Sequence, residues 1–349
     1  MAPSFPNKIH GKILYLEVGV LYFRRVLFSG QISKCPFGYY FGESPMQNAN
    51  MTRSSFLMII FICTLFGGNG VAIKYGLTRM GPFTSVGIRF FIAALSIFIW
   101  AQFSKIPLKP TGHQMKLSLV HCILFTFQLA FFHLGFQKTT ASHGALVANV
   151  LPFVVMVLAH FFIPGDKITL KKSLGILLGF TGVVLLFMDD PDLSGDIRQG
   201  DFIILGAVLC WSISAVYVKC IISQFNPVQL TWYPMVFCLP FYWGAALFFE
   251  TPSLAQWDAT SFCALFYQAI LAGAYAMGAW NIMLNKYGAT ALHTFIFIIP
   301  LVGVLSGVVM LNEPVTPHLI ASVVSIVTGI MVVNFTSKKK HLAHGASGL

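Results

Sequence analysis

Seven side chains that can bind or stack sit inside apolar stretches: Phe66, Asn69, His121, Gln128, Trp211, Ser214 and Tyr275. Polar groups in such surroundings are costly unless they pair with one another or line water. Asn69 follows Phe66 by three residues and Ser214 follows Trp211 by three, so each polar group shares a helical face with an aromatic ring. An aromatic ring beside a hydrogen-bonding group on two facing helices makes a cradle for an organic solute; hydrogen bonding between helices is the competing role. His121 and Gln128 are seven apart, as are Gln268 and Tyr275, which predicts a polar stripe on each of two helices facing a wet cavity. His133 points away from the first stripe. Arg89 lies six residues into its stretch and must pair, line water or snorkel. Pro152 and Pro300 fall mid-stretch, where each frees a carbonyl and bends its helix. They are read as gating elements, with a static bend as the alternative.

Catalytic chemistry has no comparable support. None of the eleven acidic residues falls mid-stretch, so a membrane carboxylate acting as proton carrier is not expected; coupled protons would have to use His121 or His133. GxSxG, P-loop, HExxH and paired-carboxylate patterns do not occur. The seven cysteines lack metal-ligand spacing. No catalytic residue, metal ligand or cofactor is assigned.

The elements that position these residues are membrane-spanning helices. Apolar residues make up 56% of the chain and charged residues 9%, against roughly a quarter charged in a soluble domain. A spanning helix needs about 20 apolar residues. Ten such stretches are predicted: 56–75, 83–103, 117–136, 143–163, 171–188, 202–222, 229–249, 261–283, 290–311 and 318–336. Continuous rather than alternating runs favour helices over barrel strands. The net charge of +11 raises nucleic acid as a partner, but the basic residues lie at the ends of stretches rather than in one patch, so none is expected. The expected partners are the lipid bilayer and a small-molecule substrate; a homodimer is left open.

The ten stretches form two copies of a five-stretch pattern. Phe66, Lys74 and Pro82 recur as Trp211, Lys219 and Pro227, with offsets 211−66, 219−74 and 227−82 all equal to 145. Lys138 and Pro152 recur as Lys286 and Pro300 at an offset of 148, and Gly182 recurs as Gly329 at 147. Five is odd, so the copies enter the bilayer from opposite sides. Inverted repeats of this kind are built into secondary transporters, with the substrate near the midplane where the repeats meet.

Lys and Arg set the orientation. With the N-terminus cytoplasmic, the inner side holds Arg53, Lys105, Lys109, Lys116, Lys167, Lys171, Lys172, Lys219, Lys286 and Lys338 to Lys340, twelve in all. The other side holds Lys74, Arg79, Lys138 and Arg198, four in all, with an acidic loop at 189–201. A multi-pass protein of the inner (plasma) membrane with both termini cytoplasmic is expected. The expected organisation is an extension at 1–53 outside the fold, a first repeat at 54–190, a second at 191–337 and a basic tail at 338–349. Within the extension, the apolar run Ile13–Phe23 is too short to span, and Met51-Thr52-Arg53 reads as a natural start.

Phe66-Gly67-Gly68-Asn69 with Lys74, the Pro82 turn leading to Gly87-Ile88-Arg89-Phe90, and the acidic turns Gly165-Asp166 and Asn312-Glu313 together resemble the drug/metabolite transporter superfamily, EamA type. The resemblance covers residues 54–337. It departs in the second copy, where Trp211-Ser212 stands for Phe66-Gly67 and Pro234 for Arg89. It implies ten helices around a central cavity formed by spans 1, 3, 4, 6, 8 and 9. The function it implies is secondary transport of small organic metabolites, foremost export of amino acids or their derivatives. Uptake or exchange of a nucleotide-like metabolite such as S-adenosylmethionine is the alternative within transport. A membrane-embedded lipid-modifying enzyme is the alternative of another class.

Overall fold

The computed structural model describes residues 52–162, 168–188, 195–221, 224–250, 258–280, 283, 287, 292 and 295–334. The extension before Thr52, Asp166, His293 and the basic tail lie outside the described residues. Eleven α-helices, α1 to α11, and one π-helix are described: α1 (Arg53–Leu77), α2 (Pro82–Phe103), α3 (Gly112–Lys138), α4 (Ala141–Ala148), α5 (Leu151–Phe162), α6 (Leu170–Phe187), α7 (Gly195–Ile221), α8 (Pro227–Phe249), α9 (Ala259–Phe266), α10 (Ile298–Leu311) and α11 (Pro317–Asn334). The π-helix, Tyr267–Ala276, continues directly from α9. Counting α4 with α5 and α9 with the π-helix as single spans, nine segments are long and apolar enough to cross a bilayer, and α10 is a shorter apolar helix. The fold is therefore the all-α membrane architecture of ten helices in two inverted five-helix repeats.

Local sequence explains the boundaries. Thr52, Thr111, Thr140 and Thr169 each cap a helix by accepting a backbone N–H through the hydroxyl. Pro82 and Pro227 open α2 and α8, where the missing N–H costs nothing. Glycines set the closest approaches. A Cβ on Gly175 would come within 2.9 Å of the Gly329 carbonyl, and one on Gly329 within 2.8 Å of the Gly175 carbonyl. In this way α6 and α11, equivalent helices of the two repeats, pack backbone to backbone. Gly67 does the same for α1 against Ile299 at the start of α10.

Two expectations change. Pro152 and Pro300 do not bend continuous helices. The fourth span breaks at Asn149-Val150, where Asn149 and Val150 make i→i+3 bonds to Leu146 and Val147. Pro152 is then the second residue of α5. Likewise Pro300 is the third residue of α10, after a turn in which Phe295, Ile298 and Ile299 bond back three residues. Each proline occupies a first helical turn, where no intrahelical donor is needed. The second correction concerns the acidic loop. α7 begins at Gly195, so Asp201 is helical and only 1% exposed, not part of a solvated connection.

One end of the bundle is sealed and the other is open. At the end where α1 finishes, Ala141 to Val147 of α4 are all buried. In α5, which continues the same span toward the opposite end, only Phe153 and Ala159 are buried.

Candidate functional site

Trp211 identifies the interior space. Its position on α7 lies between those of Ile204, Ala207 and Ser214, whose exposures are 0%, 0% and 2%, so it faces into the bundle. Yet Trp211 is 37% exposed. Toward the sealed end the inward strip is packed; at Trp211 it opens.

Beside it on α7, Ser214 meets His121 of α3. The His121 Nε2–H donates to the Leu230 carbonyl at 3.2 Å, so in the neutral ring Nδ1 accepts the Ser214 hydroxyl proton at 2.6 Å. The sequence placed both residues at the site, and the structure joins them. His121, Gln128 and Gly135 form one row on α3, at intervals of seven, and the row faces α7: a Cβ on Gly135 would touch the Gly200 carbonyl at 2.9 Å. Gln128 is 6% exposed, midway along this row.

Phe66 packs edge-on against Trp280, with ring centroids 6.2 Å apart. Asn69 has its Oδ1 buried without a hydrogen-bond partner. Its repeat-equivalent Ser214 is satisfied, so the two positions are not chemically alike.

Tyr275 does not join the site. It is 45% exposed and packs at 6.3 Å on Phe61, itself 49% exposed, on the outer surface. The stripe with Gln268 fails because the segment is π-helical. Its i→i+5 bonding takes nearly one more residue per turn, so seven residues make about a turn and a half instead of two.

Two further polar groups lie at the sealed end, and they contrast. The first is closed. Asp201 accepts the Thr139 hydroxyl at 2.5 Å and the His143 Nδ1–H at 2.9 Å. Lys74 donates to the carbonyls of Phe136 at 3.1 Å and Thr139 at 2.7 Å, capping the end of α3. Glu313 accepts the Ala141 and Ser142 N–H groups at 2.5 and 2.8 Å, at the positive end of α4. Glu250 does the same for Phe83 and Thr84 of α2, at 2.6 and 3.0 Å. The sequence gave no hint of the Asp201–His143 pair, whose members are 58 residues apart.

The second group is open. Ser85 Oγ, Arg89 Nε, His133 Nε2 and Gln268 Oε1, together with Asn69 Oδ1, are buried and find no partner in the protein. Arg89 is 8% exposed, and among the described residues no carboxylate lies in salt-bridge range of it. An unsatisfied buried polar group costs about 1–3 kcal/mol, and more when charged. Five in one region of four adjoining helices are not a packing accident.

The EamA-like transporter family model matches residues 53–188 and again residues 198–335. A probable amino-acid metabolite efflux pump of Escherichia coli (strain K12) is 25% identical over 291 residues, covering 81% of this chain and 95% of that protein. The uncharacterized transporter YoaV of Bacillus subtilis (strain 168) is 22% identical over 287 residues, covering 81% and 98%. A solved crystal structure superposes with a TM-score of 0.60 at 18% identity, covering 81% of this chain and 98% of its own; that likeness is one of fold alone. The duplicated match, the ten apolar helices and relatives named as transporters or efflux pumps converge, and the chain belongs to the EamA-like transporter family: a multi-pass membrane transporter of small molecules, not an enzyme.

Proposed function

We propose that this protein exports amino acids or their derivatives across the inner membrane by alternating access. The observation that carries the reading is the inward-facing yet 37% exposed Trp211, at the mouth of an interior that is sealed at one end. Phe66, Asn69, His121, Gln128 and Ser214 supply the remaining aromatic and hydrogen-bonding groups of the site. The breaks before Pro152 and Pro300, at equivalent points of the two repeats, are the gating elements of the proposal, because an interrupted helix can pivot where a continuous one cannot. The open end is where α1 starts and α7 finishes. The twelve-to-four Lys/Arg bias makes that end cytoplasmic, with both termini inside, so this conformation loads solute from the cytoplasm.

The test is purified protein in liposomes preloaded with labelled amino acids. Release of unmodified amino acid above protein-free liposomes supports the reading. Absence of release for every amino acid, with the protein folded and inserted, overturns it. Orientation is checked separately by a reporter after Leu349 that is active only outside the cytoplasm; it should be silent.

A further inference from the structure

We infer that the open polar group at the sealed end is a receptor for the zwitterionic head of an α-amino acid, with Arg89 and Ser85 holding the carboxylate and Asn69, His133 and Gln268 holding the ammonium. This rests on the transport of amino-acid-like solutes proposed above and says which groups read the head.

The five atoms divide by chemistry. Arg89 and Ser85 are four residues apart, on one face of α2, and both can donate. Gln268 spends its Nε2–H on the Ala72 carbonyl at 2.9 Å, which leaves Oε1 as a bare acceptor. His133 spends Nδ1–H on the Leu129 carbonyl at 3.1 Å, which leaves Nε2 as an acceptor in the neutral ring. Asn69 offers Oδ1. Donors on one helix therefore stand against acceptors on three others.

The groups are neighbours. Ser85 Oγ and Gln268 Nε2 lie 3.5 and 3.2 Å from the place a Cβ on Gly76 would occupy, so that glycine keeps the two side chains together. Gln268 is tied to Ala72, three residues beyond Asn69 and hence on the same side of α1. Arg89 lies within electrostatic range of His133.

Charge selects the ligand. A guanidinium kept out of water without a counter-ion is strongly unfavourable and is retained where a ligand supplies the anion. Arg89 is the single cation of the group, so a monoanionic carboxylate neutralises it, whereas a phosphate dianion would bury excess negative charge. Three bare acceptors beside it would repel a second carboxylate and suit an ammonium.

The experiment is thermal-shift titration of the full-length protein in detergent with three matched panels: free amino acids, their α-carboxamides and their N-acetyl derivatives. Inorganic phosphate and amine-free monocarboxylic acids are run alongside. Free amino acids should bind at least 10-fold more tightly than either derivative. In Arg89→Gln the acid should weaken by about 10- to 100-fold while the amide is unchanged, the loss of one charge-assisted pair. Gln268→Leu should weaken free amino acids but not the amine-free acids.

Equal binding of acid and amide, stronger binding of phosphate, or an Arg89→Gln protein that keeps its acid preference would each overturn the receptor. If no amino acid binds but amine-free acids do, and Arg89→Gln abolishes this, the amino-acid reading fails while the carboxylate site at Arg89 stands. If no acid of any kind binds, the receptor is overturned. Should Arg89→Gln not purify, Arg89→Lys replaces it, keeping charge without the planar fork; the acid preference must then narrow but persist, and its survival at full strength counts against the proposal.

Discussion

The closed and open polar groups occupy the same end of the bundle and solve opposite problems. Around Asp201 every charge is answered: Thr139 and His143 fill the carboxylate, Lys74 takes carbonyls, and Glu313 sits on a helix N-terminus. Around Arg89 a buried cation and four other polar atoms are left without partners. Burial alone thus does not separate structure from function, since Asp201 is 1% and Arg89 8% exposed. Satisfaction does. A saturated group holds helices together, and an unsaturated one holds a place for something else.

The largest effect should come from opening the closed group. Asp201→Ala leaves His143 and Thr139 facing a void and should cost about 3–5 kcal/mol of stability, read as a lowered melting temperature in detergent. A shift near zero would mean that the network does not seal this end. Next is the open mouth of the interior. Trp211→Ala should weaken solute binding by about 1–3 kcal/mol with folding largely intact. Phe98→Ala, removing a ring that is 40% exposed and stacked on Trp232, should leave affinity unchanged. Equal losses at both positions would place Trp211 outside the site.

A smaller effect belongs to Asp258, an exposed carboxylate that caps α9. The Ser261 N–H at 2.9 Å and then its hydroxyl at 2.8 Å hold its pKa below the usual aspartate value, with Arg79 at 3.8 Å assisting. A lowered pKa contributes stability that is complete above the unfolded value of about 3.9 and is lost as pH falls through the folded one. Asp258→Asn should therefore flatten the acid limb of a stability–pH curve and change nothing at pH 7 beyond a slight shift. The smallest stability effect sharpens the comparison most. Arg89→Met removes an unanswered charge, so its melting temperature should equal or exceed that of the parent, and a fall like that of Asp201→Ala would put Arg89 in the structural class.

The helices were readable because a bilayer imposes length and apolarity on every span, and their boundaries shift by only a few residues at Thr, Pro and Gly signals. Asp201 was not readable: Gly200-Asp201 beside Asp196 and Arg198 looks like a solvated loop, and the partner that makes the acid tolerable comes from another span. Tyr275 was misplaced because nothing in Tyr267–Ala276 marks the change of helical pitch. Arg89, His133, Gln268 and Asn69 each stood out singly, but their adjacency is tertiary. Ser85 gave no signal at all, as a serine in a helix is ordinary.

The π-helix has a consequence for the history of the chain. From Pro82 to Lys138 the first repeat uses 138−82, or 56, residues, while from Pro227 to Lys286 the second uses 286−227, or 59. The second copy thus carries a surplus of three residues across this stretch, and the widened turns of Tyr267–Ala276 lie inside it, absorbing added length within a span. Removing one residue there would rotate everything downstream by about 100° relative to α9, the twist of one α-helical residue. The duplicated halves have therefore diverged by insertion in the membrane itself, and the eighth span can no longer be exchanged for the third.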